Sequence, residues 1–136
     1  VAVQSEGCAP IVKAFDEGKM ESEFWENSTT HAFGINVPKA IGDFLVLDAI
    51  YQTNGCAIAV SEEEIRTSQR EVAVREGQFV CPEGAATFAA AKRLKEHNWI
   101  KEDEKVICLN TGLGIKYPDA FDVNARTMEP VERIRY

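Results

Sequence analysis

A parallel β-sheet covered by helices on both faces, an α/β architecture, is the fold this sequence predicts, and three observations predict it. Short apolar, partly β-branched runs alternate with longer helical patterns, which is the rhythm of β-α-β units. The run 106–110 empties into Thr111-Gly112-Leu113-Gly114, a hydroxyl and two glycines at the carboxyl end of an expected strand. The stretch 85–98 is alanine-rich, so a helix there can lie close against a sheet.

Taken in order, residues 1–4 read as the first strand, and Ser5-Glu6-Gly7 as its exit. A helix follows from about Ala9, with Pro10 acceptable in its first turn and Gly18 as its stop. Residues 19–30 are polar around Phe24 and Trp25, a long connection of the sort that covers an apolar surface or serves function. The segment 38–51 is apolar on nearly every side, so it predicts a helix with little of its surface facing water. Asn54-Gly55 ends it, and 56–60 is a strand.

Ser61 with Glu64 three residues on forms a capping box for a helix that runs to about Glu76, where Gly77 stops it. Residues 78–80 read as a short strand entering Cys81-Pro82-Glu83-Gly84, and the alanine-rich helix follows. Residues 106–110 read as a buried parallel strand, and an element begins at 115–117. About four strands result, fewer than most doubly wound sheets contain, which fits a piece of a larger domain. Residues 1–118 are expected to form that partial cofactor-binding domain, while the tail 119–136 alternates charges with single apolar residues and receives no assignment.

Composition bounds the function. The chain has 136 residues, enough for one domain, and opens inside an apparent strand without a methionine, as expected of a fragment or processed product. Its formal charge is -7, from 22 acids against 15 bases, which repels phosphate backbones and anionic membranes. No nucleic acid or membrane partner is expected, and a cytoplasmic location is. The four cysteines, at 8, 56, 81 and 108, contain no C-x-x-C pair, so zinc and redox-dithiol readings are poor and free thiols are expected. His31 and His97 have no metal-ligand companion, and no metal is expected.

The candidate chemistry sits at three strand exits, around Gly7-Cys8-Ala9, Glu83-Gly84 and Thr111-Gly112. Parallel strands would place all three on one edge of the sheet, each with a glycine and small neighbours where a flat ligand approaches the backbone. Glu83 reads either as a group orienting a ligand or loop, or as a carboxylate favoured by a helix N-terminus. No nucleophile elbow, phosphate-binding loop or dinucleotide fingerprint is present.

Four stretches, in order, carry a resemblance. They are Val1-Ala2-Val3-Gln4-Ser5-Glu6-Gly7-Cys8-Ala9-Pro10-Ile11, Val37-Pro38-Lys39-Ala40-Ile41-Gly42-Asp43-Phe44-Leu45, Pro82-Glu83-Gly84-Ala85-Ala86 and Leu109-Asn110-Thr111-Gly112-Leu113-Gly114-Ile115-Lys116-Tyr117-Pro118. They resemble the threonine synthase family, over nearly the whole chain but only the C-terminal portion of the family's length. The resemblance implies a pyridoxal-phosphate enzyme of fold type II, a carbon–oxygen lyase. Such an enzyme converts O-phosphohomoserine and water to threonine and phosphate by γ-elimination and β-addition.

It further implies that Thr111 faces the pyridine nitrogen of the cofactor, that Gly7, Cys8 and Ala9 line the ring, and that Gly112 permits close approach. The family's Schiff-base lysine, an asparagine near the ring hydroxyl and the glycine-rich phosphate cradle lie in the portion this chain does not span. The isolated chain is therefore expected to be inactive, and a homo-oligomer is expected for the whole enzyme. Two alternatives remain open: another fold type II enzyme such as a serine or threonine dehydratase, whose members more often carry serine or cysteine at the Thr111 position, and a non-catalytic, self-associating α/β module.

Overall fold

Two parallel strands form the centre of the computed structural model, which describes residues 1–117. β1 (Ala2–Ser5) pairs with β2 (Ala57–Val60), Ala2 opposite Ala57 and Ser5 opposite Val60. Side chains alternate between the faces of a strand. Ala2 and Ala57 therefore pack with Ile11, Ala14, Leu47 and Ile50, while Val3, Ile58 and Val60 turn the other way, toward Ile65, Val72 and a run of buried alanines. One face is covered by α1 (Pro10–Asp16) and α2 (Asp43–Gln52), the other by α3 (Glu62–Glu76) and α4 (Pro82–Glu96). This is the two-faced α/β arrangement the sequence predicts. Fully burying a side chain the size of Leu47 or Ile65 contributes about 2 kcal/mol.

Local chemistry fixes most element ends. Pro10 occupies the first turn of α1, and Gly18, at φ 67°, lies just past its end. The Ser61–Glu64 capping box is present in full at the start of α3, and Gly77 ends that helix in the left-handed conformation. Ala85, Ala86, Ala89 and Ala90 are buried on one stripe of α4, small enough for the helix to pack tightly on β1, β2 and α3. The connection over 19–30 has no regular element, as expected.

Three expectations need correction. First, α2 begins at Asp43 rather than 38, and its apolar surface is not enclosed: Leu45 is 62% exposed and Ile41, just before the helix, 99%. The turn before the helix is held instead by Asp43, whose buried carboxylate binds Lys39 and Ser22. Second, 106–110 is not a strand. It makes no backbone ladder, and Ile107 and Leu109 are 87% and 71% exposed, because no neighbouring edge reaches it. Third, 78–80 contributes one antiparallel bridge, Val80 to Leu113, so the sheet has two strands among the described residues instead of about four. The element expected at 115–117 is a 3₁₀ turn over Gly114–Lys116. The tail 119–136 lies outside the described residues. No helix of the described residues is long and apolar enough to cross a membrane.

Candidate functional site

The first exit is built where β1 ends. The Glu6 N–H donates to the Val60 carbonyl, the Cys8 N–H folds back onto the Ser5 carbonyl at 2.9 Å, and the Gln4 side chain accepts from the N–H groups of Ile11 and Val12 at 2.8 and 3.1 Å. These bonds turn the chain sharply from strand to helix. Gly7 sits at the tightest point: a Cβ there would lie 1.8 Å from the Thr29 carbonyl oxygen, while the Thr29 N–H donates to the Gly7 carbonyl. Cys8 is fully buried, and burial pushes its thiol pKa up despite a backbone hydrogen bond from Val37. This agrees with an inert thiol, and all four cysteines are free. Ala9 is the N-cap of α1.

The second and third exits abut. Cys81 is the N-cap of α4; its sulfur accepts from the Gly84 N–H at 3.3 Å, and its thiol lies 3.5 Å from Asn110 Oδ1. Gly84 must be small, since a Cβ would come 2.1 Å from that Asn110 oxygen. The Cys81 N–H donates to the Gly112 carbonyl at 3.1 Å, so Gly112 is braced directly on the N-terminus of α4. Thr111, next to it, is exposed, and its hydroxyl makes no hydrogen bond among the described residues.

Glu83 does more than face a helix dipole. Its Oε1 accepts from the Gly34 N–H and from the Tyr117 hydroxyl, both at 2.7 Å. Burial alone would raise its pKa, but the hydrogen bonds from Tyr117, its own N–H and Gly34 prevail and hold the carboxyl below the usual range. The same contact pushes the Tyr117 phenol up to about 12.

One loop, 29–37, joins the exits. Thr29 packs on Gly7, Gly34 is tied to Glu83, and His31 is tied by its N–H and Nδ1 to Glu62 Oε2, whose Oε1 accepts from Ser5 at 2.7 Å. The Gly7-Cys8-Ala9 corner therefore reaches the Thr111-Gly112 corner through this loop, Glu83 and Tyr117, with no direct hydrogen bond between the two corners among the described residues. Sequence reasoning names the three corners but misses Ser5, Glu62, Gly34, Asn110 and Tyr117. Their partners lie 29 to 57 residues away, and no local pattern announces such pairs. Among the described residues no group of three or more His, Cys, Asp or Glu side chains is placed to hold a metal ion.

Comparisons with known proteins give the family. A family model described as pyridoxal-phosphate dependent enzyme matches residues 1–112. The threonine synthase of Methanocaldococcus jannaschii is 39% identical over 118 residues, 87% of this chain and 29% of that protein. That of Methanosarcina acetivorans is 36% identical over 116 residues, again 29% of its length, and that of Mycobacterium bovis is 29% identical over 131 residues, 34% of its length. Among solved structures, that of a T.th. threonine deaminase superposes with a TM-score of 0.55 at 25% identity, over 71% of this chain and 33% of the other. The chain thus spans about a third of the length of the relatives it matches.

Proposed function

The chain belongs to the family of pyridoxal-phosphate dependent enzymes, and from that premise we propose that it is the C-terminal part of a threonine synthase, acting on O-phosphohomoserine together with the further polypeptide its relatives carry. In this reading residues 1–118 are one portion of the cofactor-binding domain, and the chain alone has no activity.

The observation that carries the reading is the state of Thr111. Thr111 is exposed and its hydroxyl is unpaired among the described residues, beside Gly112, whose carbonyl is braced on the start of α4. That suits the edge of a flat aromatic ring; the Gly7-Cys8-Ala9 corner, with Cys8 and Ala9 buried and Gly7 packed against Thr29, is proposed to stand behind the 29–37 loop on the ring's face. A neutral hydroxyl donates a hydrogen bond to a pyridine nitrogen without surrendering its proton, so the ring stays uncharged. When bound, pyridoxal phosphate supplies an electron sink for breaking bonds to the substrate's carbon chain, and an uncharged ring is a milder sink, suited to elimination. Gly112, braced on Cys81, fixes where Thr111 stands. Glu83 holds the 29–37 loop and Tyr117 around it.

The assay is direct. A polypeptide joining this chain to the N-terminal portion of its relatives releases phosphate from O-phosphohomoserine with equimolar threonine. Ammonia and a keto acid formed from threonine would instead support a second reading, a fold type II dehydratase, favoured by the likeness to the threonine deaminase structure.

A further inference from the structure

Lys116 is a cation without a counter-ion, on a chain with 22 acids against 15 bases. Lys13, Lys19, Lys39 and Lys92 each pair with a carboxylate, whereas the Lys116 side chain forms no ion pair or hydrogen bond among the described residues. The Gly114–Lys116 turn, held by the Lys116 N–H on the Leu113 carbonyl, folds it back onto the candidate cofactor corner. A Cβ on Gly112 would lie 3.6 Å from Lys116 Nζ and 3.5 Å from Cys81 Sγ. The ammonium thus stands beside Gly112, one residue from the unpaired Thr111 hydroxyl. A second source of positive potential meets it there. The Cys81 N–H donates to the Gly112 carbonyl, so the N-terminal end of the 15-residue helix α4 touches the same residue. The acid on this side of α4 is Glu83, and its Oε1 is already held by the Gly34 N–H and the Tyr117 hydroxyl, a phenol that keeps its proton up to about 12. The other groups at the corner are the Cys81 thiol and the Asn110 amide.

We propose that Lys116, aided by the N-terminus of α4, is a tuning residue that holds a ring nitrogen bound at Thr111 in its unprotonated form. The inference rests on the proposed function, which sets a pyridine nitrogen against that hydroxyl. A hydroxyl alone does not choose between the two states of such a nitrogen. It donates to the bare nitrogen, and its oxygen equally accepts from the protonated one. The choice therefore needs charge, and a neighbouring cation disfavours a second positive charge on the ring. Lys116 is exposed in this chain, where water screens it in part. A bound ring displaces water from the corner, lowers the local dielectric and strengthens the effect. Thr111 in this account supplies the hydrogen bond, and Lys116 decides which way that bond points.

The test uses the cofactor-loaded polypeptide that joins this chain to the N-terminal portion of its relatives, with pyridoxal phosphate isotopically labelled at the ring nitrogen. The chemical shift of that nitrogen reports its protonation independently of turnover, and it is followed from about pH 5 to about pH 9, a range that spares the lysine charge. Lys116→Met should raise the protonation midpoint by about one pH unit, the scale of one partly screened charge beside a titrating group. Lys116→Glu should raise it further, and Lys116→Arg should match the parent. Because Lys116 is exposed and bonds nothing, all three variants should keep the parent's melting temperature. Equal nitrogen shifts in the parent and Lys116→Glu at every pH overturn the proposal, and so does an arginine variant that behaves like the methionine one. Thr111→Val separates this failure from that of the functional reading. A shift that answers to Thr111 but not to Lys116 leaves the ring at this corner and removes Lys116 alone. A shift that answers to neither removes the corner, and the proposal with it.

Discussion

The phenolic hydroxyl of Tyr117 donates to Oε1 of Glu83 at 2.7 Å, fastening the turn after Thr111 to the first turn of α4. The hydrogen bond to Glu83 foremost, then burial and the carboxylate's negative charge, opposes loss of the phenolic proton and moves that pKa up from 10.0 to about 12. Glu83→Gln removes the charge and keeps the shape. An alkaline absorbance titration should show one tyrosine ionising late in the parent chain and returning toward 10 in the variant. Identical titrations of the two proteins would show that the contact does not form.

Asp43 supports a second prediction. Its carboxylate is 3% exposed and accepts from Ser22 N–H and Oγ–H at 2.8 and 2.6 Å, from Lys39 at 2.5 Å and from Phe44 N–H at 2.8 Å. The Lys39 ammonium foremost, then Ser22, holds its pKa well below the usual 3.8. A group with a depressed folded pKa binds fewer protons folded than unfolded, so its stabilisation is complete above the unfolded value and fades as pH falls below it. Asp43→Ala should therefore cost about 2 kcal/mol at neutral pH, the scale of hydrogen bonds to a charged group. Denaturant midpoints of the two proteins should converge as pH is lowered through 4 and beyond. A gap that stays constant with pH would mean the loss is packing rather than charge.

The start of α3 gives a third. Glu64 closes the capping box on Ser61 and also receives the guanidinium of Arg93, which donates through Nη1 to the Ala59 carbonyl at 2.7 Å. One arginine thus ties α4 to the end of β2 and to the first turn of α3. Ser61→Ala should lower stability by about 1 kcal/mol through the cap alone. Arg93→Lys should also destabilise, because an ammonium cannot make the planar fork to Glu64 and reach Ala59 together. Combined, the two losses should be less than additive by thermal unfolding, since both act on Glu64.

The contrast between these elements shows what a sequence carries. The capping box, Gly77, Pro10 and the alanine stripe of α4 are local signals, each contained within one turn or one helix face, and each forms where the sequence places it. The Glu62–His31, Glu83–Gly34 and Asp43–Ser22 pairs depend on where a long irregular loop comes to rest, and no periodicity encodes that. Residues 106–110 fail for another reason: their pattern specifies a strand correctly in composition, but a strand exists only beside a partner edge, and none lies next to it among the described residues. The exposed Phe44, Leu45 and Val46 of α2 follow the same logic, being patterned for burial that this chain does not provide. The turn chemistry of the three corners was legible in the sequence, and the scaffold joining them was not.

Thr111 is the most exacting test of the functional reading. In a polypeptide that joins this chain to the N-terminal portion of its relatives, Thr111→Val keeps the side chain's size and branching while deleting the hydroxyl. Because Thr111 is exposed and its oxygen bonds nothing among the described residues, the substitution should leave thermal stability within about 0.5 kcal/mol of the parent. Loss of one hydrogen bond to an uncharged ring nitrogen, worth about 1 kcal/mol, should weaken pyridoxal phosphate binding by about fivefold and shift the cofactor's absorbance. Turnover should fall further than affinity, since the same bond tunes the ring's electron demand. Thr111→Ser restores the donor and should recover both. Equal absorbance and turnover in the valine variant would remove Thr111 from the site, whereas a destabilised but spectrally normal variant would assign it to the fold.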